Sequence, residues 1–284
     1  MCILCTVASP GQPYMSTVSS PPSCVQTDVG SFPRASVLSL SITLASYRQI
    51  LEAILEAARR GDSRTACFAN VHMTVEAAGD ADFAALVNGA DWVVTDGVPL
   101  TWALRSLRNI RQERVTGLDV LPDILQRAAT EEIPVFFYGS TPEVLSRTVM
   151  VCGQRYPKLR IAGTFSPPFR PLTQTEELQV VWQINQSGAR LVLVALGCPL
   201  QERWMARMKG QVQAVMLGIG GALPVLAGVH SRAPKWMQKA GLEWFYRLIL
   251  EPRRLLRRYA YTNTLFLSSL IGQAFTRDRE RFRI

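Results

Sequence analysis

The 284-residue sequence contains no apolar run of about eighteen residues, the length a helix needs to span a bilayer; the nearest candidate, 265–271, is far too short. Histidine is scarce: only His72 and His230 occur, too far apart to suggest metal-ligand spacing. Six cysteines are scattered, and Cys2 and Cys5 form a CxxC with no second pair to complete a zinc set. A reduced, cytosolic chain is the simplest reading. No basic segment leads into an apolar one at the start, which argues against a secretory signal. Residues 1–34, rich in Ser, Pro, Thr and Gly, read as a flexible leader. Internal repeats are lacking, as are RNA-binding and helix-turn-helix signatures, so no nucleic-acid partner is expected.

Positive charge is present, but in one place. The formal net charge is +9, of which residues 232–284 carry +8. Within 232–258 (RAPKWMQKAGLEWFYRLILEPRRLLRR), eight basic residues stand against two carboxylates, interleaved with Trp236, Trp244, Phe245, Tyr246 and several leucines. Such basic-aromatic interleaving suits an anionic membrane surface, although a solvated helix face is the usual fate of a charge run. Pro252 is expected to break the stretch and open a new helix. On a straight helix Arg247, Arg254 and Arg258 would share one face, with Arg257 beside it, and could clamp a diphosphate.

From about residue 35 the pattern becomes orderly. Strands are expected at 38–44, 64–69, 91–95, 133–138, 159–165, 190–196 and 212–217, with helices at 47–58, 82–88, 118–129, from Pro142, 175–186 and near Gln201. This alternation points to an α/β fold, a mostly parallel sheet with helices on both faces and ligands at the carboxyl ends of its strands. The division expected is leader 1–34, catalytic domain 35–228 and a basic-aromatic helical appendage 229–284.

The informative residues then lie at strand ends. Asp96, at a turn on Gly97, is placed to act as general base over the sheet edge, or is ordinary Asp-Gly turn chemistry. Asn70 and His72 follow a strand and can line the same pocket, whereas His230 reads as surface. Gly197 lets a ligand approach the backbone; Gln201 and Glu202 can hydrogen-bond a base or sugar, or Glu202 simply suits a first helical turn. Gly218-Ile219-Gly220-Gly221 offers a tight turn beside a phosphate, but position 223 is Leu, so the dinucleotide fingerprint is incomplete. Asp80-Ala81-Asp82 is a literal DxD that N-capping explains better than a metal.

Together these stretches resemble the WecG/TagA/CpsF glycosyltransferases (glycosyltransferase family 26). The resemblance rests on Asp96-Gly97, on ERVTGLD at 113–119, on GCPLQERW at 197–204, on GIGGALPVLAG at 218–228 and on the tail at 232–258. It implies a Rossmann-like core with a C-terminal membrane-binding appendage. The implied activity is inverting and needs no metal or cofactor: transfer of an (N-acetyl)hexosamine-type sugar from a UDP-sugar to a polyprenyl-diphosphate-linked acceptor. It also implies Asp96 as base, Arg247, Arg254 and Arg257 on the donor diphosphate, and Asn70, His72, Arg114, Gly197, Gln201, Glu202 and Gly220 around the substrates. A peripheral position on the inner face of the plasma membrane and a homo-oligomer are further implications. Phe68 and Leu223-Pro224 depart from the family pattern at positions that bear on the donor sugar.

Overall fold

The computed structural model describes residues 31–281, the side chains of 239, 254 and 274–281 excepted, so most of the leader and Cys2, Cys5 and Cys24 lie outside the described residues. The described chain enters through a hairpin: β1 (Arg34–Val37) pairs antiparallel with β2 (Leu40–Thr43), Val37 opposite Leu40. This corrects the single strand expected at 38–44. Leu38 takes φ 51° and turns the chain, so the apolar alternation belongs to one arm of a separate two-stranded sheet.

Helix α1 (Tyr47–Arg60) starts on a capping box between Ser46 and Gln49 and ends on Gly61 in the left-handed region. Then come β3 (Arg64–Ala69), α2 (Val71–Gly79), α3 (Ala81–Asn88), β4 (Trp92–Thr95), α4 (Val98–Arg108) and α5 (Gly117–Thr130). The second half runs β5 (Val135–Gly139), α6 (Pro142–Arg155), β6 (Ile161–Phe165), α7 (Gln174–Gln186), β7 (Leu191–Ala195), α8 (Leu200–Met208), β8 (Val215–Gly218) and α9 (Ala222–Leu226). Three helices of the core went unread in the sequence: α2, α4 and the short α9. Both α2 and α4 start within three residues of a strand end, one on Asn70 and the other on Gly97, leaving no loop composition to announce them.

Strands β3 to β8 form one parallel sheet in the order β4-β3-β8-β7-β5-β6. Side-chain period two sorts them between two cores. Phe68, Trp92, Val94, Phe137, Leu193 and Leu217 face α1, α5, α6 and α9. Cys67, Val93, Phe136, Tyr138, Val194 and Met216 face α2, α3, α4, α7 and α8. With both faces covered, β7 is buried at every position, which is why LVLVA shows no polar alternation. The hairpin shields the β4 edge, where the Val93 amide donates to Thr43 Oγ1 at 3.0 Å.

Connections leave β5 and β7 in opposite directions, β5 to β6 and β7 to β8, which opens a crevice at their carboxyl ends. The Asp96, Asn70 and Gly218 ends line up along the same rim.

The C-terminal stretch forms α10 (Lys235–Lys239), α11 (Glu243–Leu250) and α12 (Pro252–Arg281), with the break falling at Pro252 as expected. Helix α12 lies along α2 and buries Leu255, Thr262 and Phe266, while Gln273 Oε1 accepts from the Leu38 amide at 3.4 Å. No helix among the described residues is long and apolar enough to cross a membrane.

Candidate active site

Asp96 follows β4, and its amide donates to the Ala69 carbonyl at 2.8 Å, which fixes it beside the end of β3. The next residue on β3's side, Asn70, serves two elements at once. Its Oδ1 accepts from the Met73 amide at 3.1 Å and caps α2, which leaves Nδ2 to donate to the Asp96 carboxylate. Asp96 is closely surrounded by protein yet keeps part of its surface open, as a group at the bottom of a crevice does. Burial raises its pKa from the ordinary 3.8 to about 6; Glu243 adds to the rise, while Arg247, Arg114 and the Asn70 hydrogen bond oppose it.

Arg247, from α11, lies against the glycine turn after β8. Its Nη2 approaches the Gly221 carbonyl at 3.5 Å, and any Cβ at Gly221 would collide with that guanidinium. On the other side of the same turn, Gly220 has φ 44° and sits against Gln201. Glycine at 220 suits the left-handed conformation, and a side chain at 221 would push the Arg247 guanidinium from its place.

The C-terminal segment is held to the sheet domain's residues by four charges. Arg114 Nη1 meets Glu243 Oε2 at 2.6 Å and its Nη2 stands 3.6 Å from Asp119 Oδ2. Arg232 pairs closely with Asp119 and lies 3.6 Å from Glu243 Oε1. Glu243 is only 15 % exposed, so this is a shielded network rather than a surface pair. Gly241, at φ 72°, packs onto Val98, the first residue of α4 after the Asp96 turn. Asp119, Arg232 and Glu243 were not singled out as site residues in the sequence. The signals available were that Asp119 closes the ERVTGLD stretch, that Arg232 opens the basic tail, and that Glu243 is one of only two carboxylates in that tail.

Other residues singled out in the sequence fall into place differently. Gln201 is buried and committed to the backbone: its Oε1 accepts from the Gly197 amide at 3.2 Å and its Nε2 donates to the Gly218 carbonyl at 2.9 Å. It therefore stitches the β7 turn to the end of β8. Glu202 is buried beside it, accepts from Gln201 Nε2 at 2.8 Å, and is held above the usual carboxylate range by burial. The Gln201 amide is spent on these partners, whereas Glu202 Oε2 is buried with no hydrogen-bond partner among the described residues. Gly197 adopts φ 80°, and a Cβ there would meet nothing, so the crevice is open at this point.

His72 sits in the first turn of α2, with its pKa lowered by burial and by Arg258. His230 is exposed. Arg257 is exposed on α12, and the side chain of Arg254 lies outside the described residues. Because Pro252 separates the helices, Arg247 and the later arginines do not share one straight face. Asp80 caps α3 by accepting from the Phe83 amide at 2.9 Å and pairs with Arg203 at 2.6 Å, in keeping with the capping explanation of the DxD. Phe68 is buried in the core facing Gly117.

A doubly covered parallel sheet carrying an enclosed carboxylate and an arginine over its carboxyl rim has the makings of a group-transfer enzyme. Comparison with known proteins gives the class: residues 35–280 match the model of the "Glycosyl transferase WecG/TagA/CpsF family". The chain belongs to that family and is a glycosyltransferase. It is 33 % identical over 199 residues, 68 % of this chain and 76 % of the relative, to the N-acetylglucosaminyldiphosphoundecaprenol N-acetyl-beta-D-mannosaminyltransferase of Bacillus subtilis (strain 168).

Proposed function

We propose that the protein transfers an (N-acetyl)hexosamine-type sugar from a UDP-sugar to a polyprenyl-diphosphate-linked acceptor, with inversion and without a metal, in the synthesis of a cell-surface polysaccharide or teichoic-acid-like polymer. The observation that carries this is Asp96: a carboxylate at the sheet rim, pushed up to about 6, held by Asn70 and facing Arg247. A base with a pKa near the working pH combines a useful ionised fraction with real proton affinity.

In the proposed step Asp96 takes the proton of the acceptor hydroxyl as that oxygen attacks the anomeric carbon. The bond from this carbon to the UDP oxygen breaks on the opposite face, so one displacement inverts the centre. The leaving diphosphate gains negative charge beside the glycine turn, where Arg247 neutralises it. The relative's printed name supplies the acceptor class and N-acetylmannosamine as the first donor sugar to test.

In this reading residues 35–228 are the catalytic domain and 229–284 an appendage that rests on the inner face of the plasma membrane. Trp236, Trp244, Phe245, Ile249, Leu250 and Leu256 are exposed along it, together with Arg253 and Arg257, which favours an anionic bilayer. The test is a screen of UDP-sugars against lipid-linked N-acetylglucosamine, reading UDP release and the anomeric configuration of the product. Transfer that persists in chelator and inverts the donor configuration is expected. Retention of configuration, or loss of activity on chelation, would overturn the mechanism.

A further inference from the structure

Helix α4 starts just after the Asp96 turn and buries Leu100, Ala103, Leu104 and Leu107 on one side. Val98, Trp102 and Arg105 fall on the opposite side at helical spacing. Trp102 is 70 % exposed, the most exposed tryptophan of the chain. Between Gly97 and Gln112 the sequence holds Arg105, Arg108 and Arg111 and no carboxylate, and all three arginines are exposed. Arg108 is partly used, its Nε donating to the Ser36 carbonyl at 3.3 Å. The nearly neutral body of the chain thus conceals a local excess of positive charge.

An exposed tryptophan alone carries no such message. Trp182 is 66 % exposed on α7, but that helix holds Glu176 and Glu177 and no basic residue. On α4 the indole and the cations occur together, as they do in the C-terminal segment. The two places also adjoin. Gly241 packs onto Val98, and Trp102 stands one turn beyond it, about 6 Å along the axis. The outer face of α4 therefore continues from α10 and α11, where Trp236, Trp244 and Phe245 are exposed. Charge selects what covers it. A face with three arginines and no acid repels a second copy of itself, whereas anionic headgroups attract the guanidiniums and an indole suits the headgroup level.

We propose that the outer face of α4, with Trp102 and Arg105 at its centre and Arg111 beyond its end, is a second contact with an anionic lipid bilayer, made by the sheet domain itself. This rests on the membrane reading above and adds an orientation to it. Because α4 begins beside Asp96, the two contacts together hold the mouth of the crevice against the headgroups. A lipid-linked acceptor then reaches the base without leaving the bilayer.

Co-sedimentation of the full-length protein with vesicles of phosphatidylglycerol and phosphatidylcholine in equal parts tests this without requiring turnover. Partitioning of Arg105→Gln should fall about fivefold, and that of Arg105→Gln with Arg111→Gln about twentyfold, at the usual worth of a basic side chain near an anionic surface. Trp102→Ser should also bind more weakly. Raised salt should erase the arginine effect and leave that of Trp102→Ser. All three side chains are exposed, so thermal unfolding should match wild type. Wild-type partitioning by both Arg105→Gln and Trp102→Ser overturns the proposal; if Trp244→Ser with Ile249→Ser still releases the protein, the membrane reading survives that failure. Weaker binding in the α4 variants beside unchanged binding in the Trp244 and Ile249 pair would keep the α4 contact and remove the C-terminal one. A wild-type protein that does not sediment with the vesicles overturns both. Self-association lost in Trp102→Ser, with vesicle binding unchanged, gives the face to a second copy and overturns the proposal. Turnover on a short-chain, water-soluble acceptor should be unchanged in Trp102→Ser; a loss as large as on the vesicle-borne acceptor would place Trp102 in the active site and also overturn it.

Discussion

Replacing Asp96 with Asn should make the protein inactive and more stable at the same time. The folded protein holds the Asp96 proton more tightly than the unfolded chain, with a pKa of about 6 against 3.8. Stability therefore falls as pH rises through that window and stays down above it. A shift of roughly two units, at about 1.4 kcal/mol each, corresponds to about 3 kcal/mol. Solvent reaching the open side of the carboxylate screens part of this, so about 2 kcal/mol is expected. Asn keeps an acceptor for Asn70 and does not titrate, so it escapes the cost of ionising in an enclosed site. The assay is thermal unfolding of wild type and Asp96→Asn across pH. The variant should melt several degrees higher near pH 8, at about 2 °C or more per kcal/mol, and the gap should close toward pH 4. A variant less stable than wild type at pH 8, or a gap independent of pH, would refute the assignment of a strained, ionised carboxylate to this position.

The shielded network and the stitching glutamine give further expectations. Glu243→Gln removes a negative neighbour of Asp96 and loosens Arg114 and Arg232, so the acid limb of the kcat/KM profile should move to lower pH; a shift to higher pH would contradict this. Gln201→Ala should cost about 1–3 kcal/mol in denaturant unfolding, because it strips partners from the Gly197 amide and the Gly218 carbonyl; a neutral result would mean that water replaces it freely. Trp244→Ser combined with Ile249→Ser should weaken co-sedimentation with anionic vesicles while leaving the fold intact, since both side chains are exposed. Unchanged vesicle binding would remove this part of the appendage from the membrane contact.

How far the sequence could be read depended on distance along the chain. Residues 190–196 announced a strand because a continuous apolar run marks a sheet covered on both faces, and Pro142 announced a helix because proline suits a first helical position. Helices α2 and α4 were silent because Asn70 and Gly97 end a strand and begin a helix almost at once. Leu38 hid a turn, since a leucine at positive φ carries no compositional mark. Asp96 was legible as a strand-end carboxylate, but its raised pKa was not: that depends first on burial in the folded protein and then on Glu243, well over a hundred residues later. Gln201 illustrates the opposite case. Its position suggested ligand contact, whereas its amide is used up by Gly197 and Gly218, partners that only the folded sheet brings together.

The pH dependence of sugar transfer by purified wild-type protein and Asp96→Asn, with UDP release followed at saturating lipid-linked acceptor, bears most directly on the account. Wild-type kcat/KM for the donor should rise with an acid limb near 6, where the Asp96 carboxyl titrates, and Asp96→Asn should bind the donor yet turn over slower by about a hundredfold or more with that limb gone. Turnover by Asp96→Asn at the wild-type rate, or an identical acid limb in both proteins, would place the base elsewhere.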